Sequence, residues 1–192
     1  MRERKFVFER VTTLPTYVHG GDIQTYIDRH GFAPLDLSAN INPFGIPDAV
    51  CAAMHRAVDN CTQYPDPFCR AARQAIGARE GVNPDFLYCG NGAADLIYRL
   101  ALALRPRRAL LPAPTFAEYA AALETVDCDV QRFLLREEND FAVTDGFVDA
   151  IDDGTDAVFL CQPNNPTGRH AARYGAKAAA PLCRLWRGAG RG

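Results

Sequence analysis

The chain has 192 residues, of which 48% are hydrophobic, so it is long enough to bury one core and to carry an additional arm. Its formal net charge of −2 and its pI near 6.1 give no electrostatic basis for binding nucleic acid or an anionic membrane. The seven cysteines include no Cys-x-x-Cys pair, which argues against a disulfide framework or a zinc site. We therefore expect a cytoplasmic protein with reduced thiols, no metal, and neither nucleic acid nor membrane as a partner.

The first part of the chain is predicted to contain an arm and short helices. Residues 1–45 are expected to form the arm, which includes one short helix capped by Asp22 at its start and by Gly31 at its end. Two further helices are predicted over residues 47–60 and 68–80, the first of them from its apolar spacing and the proline at its start.

From residue 86 onwards, strand and helix signals alternate. Strands are predicted over residues 86–89, 108–112, 130–135 and 157–161, and helices over residues 93–104, 115–123 and 145–151. Such alternation indicates an α/β fold with a mostly parallel sheet and helices on both faces. We expect residues 46–168 to form one incomplete domain of this class.

Glycine-rich or polar turns follow three of the predicted strands. The turns read Gly-Asn-Gly-Ala-Ala-Asp at 90–95, Pro-Ala-Pro-Thr-Phe at 112–116 and Asn-Asn-Pro-Thr-Gly at 164–168. Open α/β sheets bind ligands at the carboxyl ends of their strands, and a glycine turn that leads into a helix suits a phosphate group. Taken alone, the first turn is more often an ordinary connection, and Phe116 is more often a core residue.

Together, the three turns resemble those of fold-type-I pyridoxal phosphate (PLP) enzymes, the aspartate aminotransferase superfamily. The resemblance implies that PLP is the cofactor and that its phosphate is held around Gly92, Ala93 and Ala94. It also implies that Phe116 stacks on the pyridine ring and that Asn165 hydrogen-bonds the phenolic oxygen.

Segments of the first half narrow this resemblance. They are the His-Gly-Gly at 19–21, the Ser-Ala-Asn-Ile-Asn-Pro-Phe-Gly at 38–45 and the Tyr-Pro-Asp-Pro at 64–67. Over about residues 18–168, the chain resembles the L-threonine-O-3-phosphate decarboxylase family of cobalamin biosynthesis. Histidinol-phosphate aminotransferases share the Asn-x-Asn-Pro and Asn-Asn-Pro-Thr-Gly elements and are the alternative.

The narrower resemblance implies a small phosphorylated amino acid as substrate, bound by His19, Gly20 and Asn40. The family reaction is the PLP-dependent decarboxylation of L-threonine O-3-phosphate to (R)-1-amino-2-propanol O-2-phosphate, and the intact enzyme is expected to be a homodimer. A protein of a different class, a non-catalytic fragment that binds a phosphate ligand weakly or not at all, is the other alternative.

Several groups that complete PLP chemistry in this family are not found in the chain. They are the Schiff-base lysine, the acid that pairs with the pyridine nitrogen, and the arginine that binds the substrate carboxylate. The two lysines are Lys5, in the arm, and Lys177, close behind Asn165, and we expect neither to hold the cofactor. We therefore assign no catalytic residue.

The last 24 residues differ in composition from the rest of the chain. Residues 169–192 contain seven Ala, five Arg and four Gly but no acidic residue. We expect this tail to lie outside the fold, as the result of a reading-frame slip or a truncated gene, and the chain to be catalytically incomplete.

Overall fold

A computed structural model describes residues 21–37 and 39–170 of the chain. The chain divides into two units, Met1–Pro65 and Asp66–Gly192. The domain boundaries expected after residues 45 and 168 stay predictions. In the described part of the chain, every helix is too short or too polar to cross a membrane.

The first unit contains two helices, α1 (Ile23–His30) and α2 (Asp48–Val58). Helix α1 begins as predicted, because the Asp22 carboxylate accepts a hydrogen bond from the Thr25 N–H at 3.1 Å. It also ends as predicted, at Gly31, whose φ of 78° lies in the left-handed region. None of the described residues of this unit is buried.

The second unit is built on a parallel sheet. Its strands are β1 (Arg108–Ala113), β2 (Asp129–Leu134) and β3 (Ala157–Val158), in the order β2-β1-β3. Strand β1 pairs with β2 along its whole length and with β3 over two residues. The last ladder ends after the Phe159 N–H donates to the Leu110 carbonyl at 3.2 Å. The strand over residues 157–161 is therefore shorter than predicted, because its pairing with β1 stops at Phe159.

The described helices of this unit are α3 (Arg70–Glu80), α4 (Gly92–Leu104), α5 (Ala117–Glu124) and α6 (Asp145–Asp149). Helices α5 and α6 pack on opposite faces of the sheet, and α4 packs against α5, which confirms the predicted α/β class. Successive side chains of a strand point to opposite faces. Leu110 packs with Phe147 of α6 on one face, whereas Ala109 and Leu111 pack with Leu123 of α5 on the other.

The strand predicted over residues 86–89 is wrong. A single 3₁₀ turn occupies Pro84–Phe86, and the residues that follow belong to no sheet. A strand needs a neighbour to hydrogen-bond with, and residues 86–89 pair with none of the three strands of the sheet. The side chains of Phe86 and Tyr88 are 83% and 69% exposed, so the apolar pattern of this segment is not buried against a core.

Candidate cofactor site

The turns that follow β1 and β3 are joined by the side chain of Asn164. Its Oδ1 accepts a hydrogen bond from Thr115 Oγ1 at 2.9 Å. Its Nδ2 donates to the Pro114 carbonyl at 3.1 Å and to Thr167 Oγ1 at 2.9 Å. Asn164 is buried, and both hydrogens and the oxygen of its amide group are used. Residues that lie 49 positions apart in the chain are thereby fixed to each other.

Two residues that the sequence assigns to the cofactor lie on these joined turns. Asn165 directly follows the buried Asn164 and is itself exposed, so its amide is accessible to a ligand. Phe116 is half-buried and has an extended backbone, with φ −59° and ψ 122°. For this reason α5 begins at Ala117, two residues later than predicted. The structure brings Phe116 and Asn165 onto neighbouring turns at the carboxyl end of the sheet.

Tyr119, on α5, packs between Phe116 and Phe159, which lie next to this pair of turns. Its ring meets Phe116 edge to face, with 5.7 Å between centroids, and lies 5.2 Å from the ring of Phe159. Burial raises the pKa of the Tyr119 phenol to about 12, and the hydrogen bond and charge of Cys161 add to the effect. The phenol therefore stays neutral over the physiological range and links α5 to the segment that follows β3.

The first predicted turn, at residues 90–95, leads into α4. The Gly92 N–H donates to the Gly90 carbonyl at 3.0 Å, and Gly92 has a φ of +79° with open space where a Cβ would stand. Asn91 does not cap the helix with its side chain. The amides of Ala93 and Ala94 belong to the first helical turn, whose N–H groups have no acceptor within the helix. They can donate to an anion, helped by the helix dipole.

The three turns are not equally connected. Among the described residues, no hydrogen bond joins residues 90–95 to residues 114–116 or 164–168, whereas the latter two turns are bonded to each other. The first turn is linked to the second through packing, because α4 lies against α5.

The residues predicted to bind the substrate belong to the first unit. His19 and Gly20 lie outside the described residues, and Asn40 is exposed. Lys5 and Lys177 also lie outside the described residues. The roles given to these residues, and to those assigned to the cofactor, stay predictions.

The sequence motifs do not identify Asn164 and Thr115 as site residues. Both lie inside the motifs, but the resemblance assigns the cofactor contacts to the residues that follow them, Asn165 and Phe116. Burial and the bond to Thr115 distinguish Asn164 from Asn165, and a local sequence pattern reveals neither feature.

The described residues fit a phosphorylated aromatic cofactor. Uncapped amides and open space at Gly92 suit a phosphate group. The half-buried ring of Phe116 and the exposed amide of Asn165 offer an apolar and a polar contact for a heteroaromatic ring.

Comparison with known proteins agrees with this interpretation. Residues 33–184 match the family of class I and II aminotransferases, and the chain belongs to that family. It is 38% identical over 169 residues to a threonine-phosphate decarboxylase of Salmonella typhimurium. This alignment covers 86% of this chain and 46% of that protein. It is also 32% identical over 170 residues to histidinol-phosphate aminotransferase 2 of Carboxydothermus hydrogenoformans. This second alignment covers 87% of this chain and 46% of that protein.

A solved structure confirms the fold. The histidinol-phosphate aminotransferase of Sinorhizobium meliloti, determined in complex with pyridoxal-5'-phosphate, matches 94% of this chain and 48% of its own length, with a TM-score of 0.76 and 19% identity. Members of the family are PLP-dependent, as the resemblance implied. The chain spans about half the length of the curated relatives named above.

Proposed function

We propose that this chain carries part of the PLP site and part of the substrate site of an L-threonine-O-3-phosphate decarboxylase. The observation that carries the proposal is the pair of joined turns, in which buried Asn164 fixes Thr115 and leaves Phe116 and Asn165 accessible. The 38% identity to a threonine-phosphate decarboxylase supports this activity in particular.

In this proposal, the amides of Ala93 and Ala94 hold the phosphate of the cofactor, and Gly92 leaves room for it. Phe116 packs on the ring, and Asn165 donates a hydrogen bond from its amide to the phenolic oxygen. Bound PLP supplies an electron sink for the pair of electrons left on the substrate carbon when CO2 departs.

Substrate binding falls to the first unit in this proposal. His19, Gly20 and Asn40 would provide donors to the phosphate or carboxylate of L-threonine O-3-phosphate. The product would be (R)-1-amino-2-propanol O-2-phosphate, an intermediate of cobalamin biosynthesis. A cytoplasmic location and a homodimeric enzyme are part of the same proposal.

The second candidate is a histidinol-phosphate aminotransferase. It is favoured by the 32% identity to such an enzyme over 87% of the chain. Both candidates use the same PLP contacts, so the difference between them lies in the substrate that the first unit accepts.

Binding measurements test the cofactor site directly. PLP is titrated into the wild-type chain and into Asn165→Ala, with Gln131→Ala, an exposed amide side chain on β2, as the matched control. We expect Asn165→Ala to weaken PLP binding several-fold and Gln131→Ala to leave it unchanged. Equal affinity in all three proteins would contradict the site.

Calorimetry on the PLP-saturated chain tests the substrate. We expect L-threonine O-3-phosphate to bind more tightly than L-histidinol phosphate, and His19→Ala to reduce this preference. The opposite order of affinities would favour the aminotransferase.

A further inference from the structure

The turn before α4 is tied to the helix by a side chain that the cofactor assignment does not use. Asp95, in the first turn of α4, accepts a hydrogen bond from the Asn91 N–H at 3.0 Å through Oδ2. Its Oδ1 accepts from Arg99 Nε at 2.8 Å. Arg99 also donates from Nη1 to the Tyr88 hydroxyl at 3.3 Å. One guanidinium group therefore connects the segment before the turn to the helix after it.

The packing around Gly90 shows how closely the carboxylate lies against the turn. A Cβ on Gly90 would stand 2.6 Å from Asp95 Oδ2 and 2.6 Å from Leu96 Cδ2. Such distances would force the side chains or the backbone to move. Glycine at this position is what allows Asp95 to reach the Asn91 amide.

The charge of Asp95 affects any anion that binds at the same helix start. The hydrogen bond from the Asn91 amide, followed by that from Arg99, lowers the pKa of Asp95, so the group is a carboxylate at neutral pH. A carboxylate in the first turn is favourable for the helix itself. It is unfavourable for a phosphate dianion that binds to the neighbouring amides, because like charges repel. Arg99, whose pKa is raised by Asp95, stays charged and offsets this repulsion.

Building on the PLP site proposed above, we propose that Asp95 and Arg99 are positioning residues of its phosphate-binding turn. Asp95 fixes the path of the turn by holding the Asn91 N–H. Arg99 neutralises Asp95, so that an anion can bind to the amides of Ala93 and Ala94 beside it. Neither side chain needs to touch the cofactor.

Three variants separate the two roles. Asp95→Ala removes both the acceptor and the charge, and Asp95→Asn keeps an acceptor for Asn91 but removes the charge. Arg99→Gln leaves the carboxylate uncompensated. Binding of inorganic phosphate and of PLP is measured by equilibrium dialysis, and hydrogen exchange of the Asn91 amide is measured by NMR in the ligand-free chain.

We expect Arg99→Gln to weaken phosphate binding roughly two- to fivefold, the size of a charge effect at a helix start. Adding Asp95→Asn to this variant should restore the affinity, because the uncompensated charge is then gone. Asp95→Ala should abolish the protection of the Asn91 amide, whereas Asp95→Asn should retain much of it.

The matched control is Arg70→Gln. Arg70 and Asp66 form an ion pair of the same spacing at the start of α3, with Nη1 and Oδ1 2.8 Å apart. This variant should leave phosphate binding unchanged. If the role of Arg99 were purely structural, the loss of phosphate affinity in Arg99→Gln would persist when Asp95→Asn is added. That result would overturn the charge role. Equal protection of the Asn91 amide in Asp95→Ala and wild type would overturn the positioning role.

Failure of the wild-type chain to bind either phosphate or PLP has a separate meaning. It would overturn the proposed PLP site, and the charge role of Arg99 with it. Exchange of the Asn91 amide is measured without ligand, so it would still decide the role of Asp95.

Discussion

Replacing Asn164 should uncouple the two turns that form the candidate site. Asn164→Ala removes the acceptor for Thr115 Oγ1 and the donor to the Pro114 carbonyl and to Thr167 Oγ1. The neighbouring Asn165→Ala removes an exposed amide instead. The two variants make the same chemical change one residue apart, so they separate the structural asparagine from the one that we assign to the cofactor.

The three hydrogen bonds of Asn164 set the expected magnitude. Each contributes about 0.5–1.5 kcal/mol net to folding. Since Pro114 is exposed and its carbonyl can be hydrated in the variant, the lower half of the summed range is the better estimate. We expect Asn164→Ala to lower the free energy of unfolding by about 1.5–3 kcal/mol. Thr115→Val, which removes one of the bonds, should cost about 1 kcal/mol.

Urea denaturation, followed by circular dichroism, measures these differences, and PLP titration of the same proteins measures affinity. Asn165→Ala should change stability by less than about 0.5 kcal/mol while it weakens PLP binding. Asn164→Ala should lower both quantities, because Phe116 and Asn165 then lose their common support. Equal stability of the two alanine variants would refute the role given to Asn164.

Three further predictions concern the core, the pH dependence and the tail. Phe147→Ala should lower the free energy of unfolding by about 3–5 kcal/mol in thermal denaturation, because Phe147 is 0% exposed. Phe44→Ala should be nearly neutral, because Phe44 is 94% exposed. Similar losses of stability in the two variants would contradict the assigned core. The pKa of Tyr119 is about 12 in the folded chain, and its ordinary value is 10.0. The contribution of the neutral phenol to stability is therefore present below pH 10 and is lost as the pH rises towards 12. Tyr119→Phe should remove this part of the alkaline loss of stability in unfolding curves, and an unchanged curve would refute the shift. Borohydride reduction with PLP, followed by peptide mapping, should give no stoichiometric label on Lys177; such a label, lost in Lys177→Ala, would contradict our interpretation of the tail.

Helix positions could be predicted because the signals that end a helix are local. Asp22 and Gly31 cap α1 through interactions with residues three or four positions away, and these are visible in the sequence. The alternation of strands and helices likewise predicted the parallel sheet, since a parallel pair needs a crossover between its strands.

Pairing between distant segments could not be predicted in the same way. The apolar pattern of residues 86–89 is typical of a strand, yet whether the segment forms one depends on hydrogen bonding to a neighbouring strand, which the pattern does not specify. The bond between Thr115 and Asn164 joins residues 49 positions apart, and its existence depends on β1 and β3 being adjacent. Motif resemblance located the site, while the residue that holds it together became visible only from burial and hydrogen bonding.

The position of β3 depends on side chains at both ends of a short ladder. Strands β1 and β3 share two paired residues, and a backbone hydrogen bond contributes about 1 kcal/mol net, so the ladder alone holds β3 weakly. At the amino end of β1, Asp156 Oδ2 accepts hydrogen bonds from the Arg107 and Arg108 amides at 2.8 and 3.1 Å. At the carboxyl end, Asn164 joins the turns that follow the same two strands. Side-chain hydrogen bonds therefore hold the β1–β3 pair at both of its ends, where the backbone ladder between the two strands is short.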